Sequence, residues 1–259
     1  MGLTLQWSDR RALILMAMGS NSTGNSRTVL VTGAAKRIGR GIALSLAQQG
    51  FRVAIHYNES RAEAERTAAE CGGAELFQAN LEDVDQIIRM FAEIEKRCGR
   101  LDALVNNAAR FTRFDPLHIT ERDWDFIHSV NLKATFFCCQ QGALLMRKHG
   151  GGRIVNISSL GGIRPWAEHV HYCASKAGVI MMTKALAKAL APDITVNSVA
   201  PGVIPFGDLD PRAQKMVENT PARRAGTAAE IADAVLYFLN ASNFITGQVL
   251  VVDGGLSLR

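Results

Sequence analysis

Thr28-Val29-Leu30-Val31-Thr32-Gly33-Ala34-Ala35-Lys36-Arg37-Ile38-Gly39 is the stretch whose reading decides the fold. Thr28–Thr32 is a β-branched run that reads as a buried strand, and Ile38–Gln49 has the apolar spacing of an amphipathic helix stopped by Gly50. Gly33 permits a tight turn between them, and Gly39 lets helix and strand approach closely. Outward from this unit the alternation repeats. Further strands are expected at Arg52–Tyr57, Glu75–Ala79, Asp102–Asn106, Arg153–Ile157, Ile194–Val199 and Gln248–Val252. Helices are expected at Ser60–Glu70, Asp83–Arg97, Glu121–Lys148, Tyr172–Ala191 and Ala228–Leu239.

Strands that are apolar along their length and separated by helices call for a parallel sheet covered on both faces. The expectation is an α/β chain: a three-layer, doubly wound fold of Rossmann type with a seven-stranded parallel sheet. Residues 28–259 are read as a single domain, because no linker or internal repeat interrupts the pattern. Residues 1–27 are read as a flexible N-terminal extension, rich in Gly, Ser and Asn near its end.

Composition removes several alternatives. With 47% apolar residues in a chain of 259 the sequence is not disordered, and 5 cysteines are too few for a disulfide scaffold. Cys71, Cys98, Cys138, Cys139 and Cys173 form no CxxC pair, and the histidines show no ligand spacing, so no metal is expected. Reduced thiols point to a cytoplasmic protein. The net charge of +5 has no basic stripe with interleaved aromatics behind it, which argues against a nucleic-acid partner. The apolar run Ala12–Met18 after Arg10-Arg11 is as short as a signal segment can be, and no stretch nears the ~20 residues a membrane span needs.

In a doubly wound sheet ligands bind beyond the carboxyl ends of the strands. There the start of the first helix offers free N–H groups and a positive dipole end, which suit a pyrophosphate. The spacing of the glycine turn resembles the TGxxxGxG signature of the short-chain dehydrogenase/reductase family, with Arg37 at the middle glycine. The likeness extends from residue 28 to 256. Asn106-Asn107-Ala108-Ala109 resembles the family's NNAG, and Tyr172-Cys173-Ala174-Ser175-Lys176 its YxxxK. Pro201-Gly202 resembles its PG turn, and Asp253-Gly254-Gly255 its DGG.

This resemblance implies a nicotinamide dinucleotide cofactor. Its contacts would come from Gly33, Lys36, Arg37, Ile38 and Gly39 in the turn, and from Tyr57, Asn58 and Ser60 after the second strand. Asn80 and Leu81, then Asn107, Ala108 and Ala109, then Pro201, Gly202 and Val203 complete the set, with Tyr172 and Lys176. Cofactors of the NAD type are usually met by a carboxylate at the end of the second strand, which repels a 2′-phosphate. Tyr57 stands at that place, while Arg37 and Ser60 can meet a phosphate, so NADPH/NADP is expected over NAD. Glu59, two residues beyond, is the counter-indication.

Tyr172 and Lys176 are four apart and share one helix face. A hydride passed to a carbonyl makes an alkoxide that needs a proton, and tyrosine near pKa 10 delivers it poorly without help. A neighbouring ammonium, together with the charge of the oxidised nicotinamide, is expected to lower that value. By resemblance Tyr172 transfers the proton, Lys176 assists it and contacts ribose, Ser159 holds the substrate oxygen, and Asn131 supports a water relay. Ser158 is read as a turn hydroxyl, and His169 and His171 as pocket or surface residues alike.

The substrate is less legible. The glycine turn, His56-Tyr57-x-x-Ser60 and the ending resemble the pteridine reductase branch, as does Ala109 in place of glycine. Ser159 departs from that branch, which commonly has Asp there, and resembles the 3-oxoacyl-carrier-protein reductases. Arg110, Phe111, Arg113 and Phe114 can grip an anionic or flat aromatic molecule. Val203–Phe206, lacking the family's usual threonine, would form an apolar wall. The reading is an NADPH-dependent reductase of a ketone or 3-oxoacyl thioester. A pteridine-type C=N reductase is the alternative, and a catalytically idle dinucleotide-binding sensor or scaffold the alternative of another class. The expected partners are a small-molecule substrate and a second copy of the chain. The family assembles as a homodimer or homotetramer through its two long helices, here 121–148 and 172–191.

Overall fold

A computed structural model describes residues 26–259, so the expected N-terminal extension lies almost wholly outside the described residues. Its strands are β1 (Thr28–Val31), β2 (Arg52–Tyr57), β3 (Glu75–Gln78), β4 (Ala103–Asn106), β5 (Gly152–Ile157), β6 (Ile194–Pro201) and β7 (Val249–Val252). All pair in parallel, in the spatial order β3-β2-β1-β4-β5-β6-β7. The chain leaves the edge at β3 and returns to the middle at β4, so winding reverses between β1 and β4. Their carboxyl ends therefore part, and a crevice opens there.

The strands interleave with α1 (Arg37–Gln48), α2 (Arg61–Glu70), α3 (Val84–Cys98), α4 (Glu121–His128), α5 (Thr135–Arg147), α6 (Val170–Leu190), α7 (Pro211–Asn219) and α8 (Ala228–Asn240). Successive strand residues face opposite sides of the sheet, so each strand feeds two cores. Val29, Val31, Ile55 and Val105 pack with Ile42 and Leu46 of α1 and with Val235 and Phe238 of α8. Leu30, Ala54, Leu104 and Ile154 face the other way, onto Met90 and Ile94 of α3 and Cys139 and Met146 of α5. This doubled burial is why the strands lack polar alternation.

The expected helix Glu121–Lys148 is not uniform. Thr120 caps α4 in a reciprocal box with Asp123, but Ser129–Ala134 forms a wider π turn before α5 begins. Helix α7 was not foreseen, although Asp210 caps it by accepting from the amides of Arg212 and Ala213, and Pro211 sits at its first position. The five cysteines are free. Burial pushes the Cys98 thiol up to about 11 and the Cys139 thiol up to about 12, so these thiols stay protonated and unreactive. Among the described residues no helix is long and apolar enough to cross a membrane, and no His/Cys/Asp/Glu cluster could hold a metal ion.

Candidate active site

The crevice is a cavity of about 1320 Å³ running from the glycine turn to α7. At its nucleotide end, Gly33 has φ +62, a conformation that side-chain-bearing residues rarely adopt. A Cβ on Gly39 would lie 2.3 Å from the Gly33 carbonyl oxygen and 2.5 Å from Asn107 Nδ2, so helix and turn touch only because both residues are glycine. Asn107 locks this contact: its Nδ2 donates to the carbonyls of Thr32 (2.9 Å) and Gly33 (3.1 Å). Thr32 Oγ1 in turn accepts from the amides of Asn107 and Ala108.

The start of α1 is built for an anion. Lys36 makes no side-chain cap, the first turn holds no acid, and Lys36 and Arg37 place cations at the positive end of the helix dipole. That arrangement is unfavourable by itself and would be compensated by a phosphate bound there. Arg37 also carries a positive φ of 56, at the position where the resemblance expects glycine. Its guanidinium lies 5.7 Å above the ring of Phe206. The dinucleotide implied by the sequence fits this end of the cavity.

Ile38, Asn58, Asn80, Leu81, Ala108, Ala109, Pro201, Gly202 and Val203 line the cavity with the turn. Asn80 Oδ1 accepts from the Glu82 amide at 3.1 Å. Tyr57 and Ser60 are not among the lining residues. Tyr57 shares the parity of Val53 and Ile55 and packs against the core cluster they belong to, while its neighbours His56 and Asn58 line the cavity.

At the centre, β5 delivers Ser159 and one face of α6 delivers Tyr172 and Lys176, all three buried and lining the cavity. Ser159 Oγ accepts from the Gly161 amide at 3.1 Å. Lys176 Nζ donates to the Ile157 carbonyl at 2.8 Å and lies 6.0 Å from the Tyr172 ring centroid. Burial pushes Tyr172 up to about 12, against the downward pull of its hydrogen bond with Ser159. Burial also brings Lys176 down to about 8. A lowering of the tyrosine by its lysine is not found in the protein alone: burial of the phenolate dominates, and the opposing influence is the hydrogen bond with Ser159.

Asn131 does not line the cavity. From the π turn its Oδ1 accepts from the Arg110 amide at 2.7 Å, and its Nδ2 donates to the Arg110 carbonyl at 3.0 Å and to Ser175 Oγ at 3.2 Å. It ties the loop after β4 to α6. Ser158 is structural, its hydroxyl donating to the Val199 carbonyl and accepting from Ser198.

At the far end the rings converge on Tyr172. Phe111 meets it edge-on at 4.7 Å and stacks on His169 at 4.5 Å, while Trp166 lies parallel to Tyr172 at 6.1 Å. His171 is fully buried, its Nε2 paired with Thr112 Oγ1 at 2.7 Å, so it is no surface residue. Arg110 turns its guanidinium onto the Phe126 ring (3.8 Å) and pairs with Glu82, which directs its charge away from the reacting centre. Arg113 and Arg212 both pair with Glu168, joining the 110–114 loop to α7. Val203, Phe206 and Met216 complete the expected apolar wall. Trp166, Glu168 and Arg212 carried no sequence signal. His56, with its ring against the glycine turn, was passed over as one of several histidines without ligand spacing.

Comparison with known proteins shows the family. Residues 33–257 match the family model described as Enoyl-(Acyl carrier protein) reductase, a short-chain dehydrogenase model. The chain is 39% identical over 243 residues to the 3-oxoacyl-[acyl-carrier-protein] reductase FabG of Staphylococcus aureus, covering 89% of this chain and 98% of that one. It is 36% identical over 251 residues to the 1-cyclohexenylcarbonyl-CoA reductase of Streptomyces collinus, covering 91% and 89%. Among solved structures, acetoin dehydrogenase YohF of Salmonella typhimurium superposes with a TM-score of 0.83 at 32% identity, over 91% of this chain and 97% of that one.

Proposed function

The chain belongs to the short-chain dehydrogenase/reductase family and is an oxidoreductase, and from that premise we propose that it reduces a carbonyl compound with NADPH, Tyr172 giving the proton. The convergence of Ser159, Tyr172 and Lys176 beside the glycine turn carries this reading. NADPH, when bound, supplies the hydride. Gly33, Gly39 and Asn107 shape the turn that holds its pyrophosphate, Lys36 and Arg37 meet its phosphates, and Asn58 and Asn80 face its adenosine end. The Ser159 hydroxyl holds the carbonyl oxygen beside the Tyr172 hydroxyl. A phenol pushed up to about 12 rests in the protonated form from which reduction starts, and it gives up that proton only to a strong base such as the alkoxide that hydride transfer creates. Lys176 receives the proton deficit: as an ammonium at about 8 it exchanges protons near neutrality.

A 3-oxoacyl thioester is the substrate class favoured by Ser159 and by the similarity to 3-oxoacyl-[acyl-carrier-protein] reductases. One observation favours a flat ring instead, as in a pteridine: Phe111 and Trp166 flank Tyr172 as two aromatic walls. A non-catalytic sensor or scaffold has no need of a buried serine, tyrosine and lysine at one point. Exposed Trp124, Phe126, Phe136 and Leu144 on α4 and α5, with Met181 on α6, support self-association through these helices as a homodimer or homotetramer. The free, protonated thiols support a cytoplasmic setting.

Purified protein assayed with NADPH against an acetoacetyl thioester, simple ketones and dihydrobiopterin tests the reading. Turnover of the thioester or a ketone is expected. Turnover of the pterin alone would overturn the inference from Ser159. Cofactor binding without turnover of any compound would favour the scaffold.

A further inference from the structure

We propose that His56 is the positioning residue that holds the Gly33 turn in its dinucleotide-binding form. This rests on the reading of that turn as the cofactor's phosphate site. His56 is 2% exposed, lies at the penultimate position of β2, and lines the cavity. Its ring spans two walls: Nδ1 is 3.0 Å from the Gly33 amide nitrogen, and Nε2 is 3.0 Å from the Ala79 carbonyl oxygen. Its own carbonyl accepts from the next turn amide, Ala34, at 3.0 Å. One residue therefore engages two consecutive amides of the glycine turn and the end of β3, directly before Asn80.

These partners settle the tautomer. A backbone amide can only donate and a carbonyl can only accept, so Nδ1 carries the lone pair and Nε2 the hydrogen. The ring must stay neutral, since a proton on Nδ1 would face the Gly33 N–H. Burial keeps it so, bringing the imidazole down to about 4. The Gly33 amide has no helical partner, and the turn's φ of +62 is one that the free chain populates among others. An acceptor fixed at Nδ1 selects it before any ligand arrives, which removes an ordering cost from binding.

Two substitutions separate this task from plain support of the fold. The Asn side chain places its oxygen near the Nδ1 position, and the Gln side chain places its nitrogen near the Nε2 position. His56→Asn keeps the acceptor for Gly33 and loses the Ala79 bond; His56→Gln does the reverse. The measurements are the NADP+ dissociation constant by titration, kcat and KM for NADPH, the melting temperature, and the exchange rate of the Gly33 amide in cofactor-free protein. His56→Gln is expected to bind NADP+ about tenfold more weakly, to raise KM with kcat at saturation little changed, and to exchange the Gly33 amide faster. His56→Asn is expected to lower the melting temperature more while keeping the affinity within about threefold of the parent. Equal NADP+ affinity in parent and His56→Gln, or losses of affinity that track melting temperature in both variants, would overturn the proposal. Failure of the parent to bind NADP+ would instead reject the cofactor reading, and the Gly33 exchange rate still judges the strut. Should neither variant fold, a Gly33 amide unprotected in the parent overturns it.

Discussion

The two ends of the cavity are built on different principles. At the nucleotide end the shape is made by main chain: the Gly33 turn, the close approach of Gly39, and carbonyls and amides held by Asn107 and His56. At the far end it is made by side chains on loops, Phe111, Trp166 and His169 leaning on one another and Glu168 joining Arg113 to Arg212. A backbone cradle admits few residue types and one kind of ligand. A box of side chains can be rebuilt by substitution without disturbing the sheet. Relatives of this chain are named for different substrates, a 3-oxoacyl-[acyl-carrier-protein] reductase and an acetoin dehydrogenase among them.

The two ends meet at Tyr172, where the largest effect is expected. Tyr172→Phe removes the proposed proton donor but keeps the ring against Phe111 and Trp166, so kcat should fall by about 10²- to 10⁴-fold with NADP+ affinity unchanged. A loss of affinity in step with turnover would mean that the ends are not separable there. Lys176 offers a second test, through pH. Its folded value of about 8 lies below the ordinary 10.5 because of burial. Below pH 8 both folded and unfolded chains carry the proton, and the folded one bears the desolvation cost. Between these values the unfolded chain binds more protons, so stability should rise with pH, by on the order of 3 kcal/mol. Urea unfolding at pH 7 and pH 10 measures it. Lys176→Met should be more stable than the parent at pH 7 and lack the rise, while losing activity.

The same contrast governs what the amino-acid order discloses. A turn that demands φ > 0 and the absence of a Cβ leaves a trace in glycine spacing, so Gly33 and Gly39 are legible, as is the alternation that builds the sheet. Tyr172 and Lys176 are legible because helix geometry turns a spacing of four into one face. Trp166 and Glu168 are not, since they act through loops from distant parts of the chain that meet only after folding. His56 was hidden for another reason: a lone histidine in a strand is ordinarily a satisfied core residue, and here its satisfaction is itself the device. Helix α7 was missed although Asp210-Pro211 is a start signal, because its nine mostly polar residues hold too few apolar positions to show a period. Tyr57 was placed at the cofactor by alignment, whereas in the fold its ring packs with the core of Val53 and Ile55 and is not among the cavity-lining residues.

A smaller effect is expected at the nucleotide end from Arg37, the one residue of the turn that departs from a backbone requirement. Its φ of +56 carries strain of order 1 kcal/mol for a side-chain-bearing residue. Arg37→Gly relieves that strain, though glycine's freedom in the unfolded chain offsets most of the gain, so the melting temperature should change little. The loss should appear in cofactor choice. Removing a charge-assisted contact to the 2′-phosphate is expected to reduce the NADPH-over-NADH ratio of kcat/KM by about tenfold. An unchanged ratio would show that Arg37 serves the apolar wall, through its contact with Phe206, rather than the phosphate.

The smallest effect should come from the side-chain box. Phe111 is 59% exposed and touches Tyr172 only by its edge, so little folding energy depends on it. An aromatic edge contact contributes about 0.5–1.5 kcal/mol beyond area burial. Phe111→Ala should therefore raise KM for the carbonyl substrate by at most about tenfold, with kcat at saturation and NADP+ affinity held. The effect should depend on substrate shape: larger for a ring that lies flat against Phe111 than for an acyl chain that can slide past it toward Val203 and Met216. If KM for both shapes moves equally, Phe111 only closes the cavity to water, and the selecting surface is the wall of α7. If NADP+ affinity falls as well, the two ends are coupled through the Asn131–Arg110 hydrogen bonds that hold the loop after β4, and the boundary between backbone cradle and side-chain box lies at Asn107 instead of Tyr172.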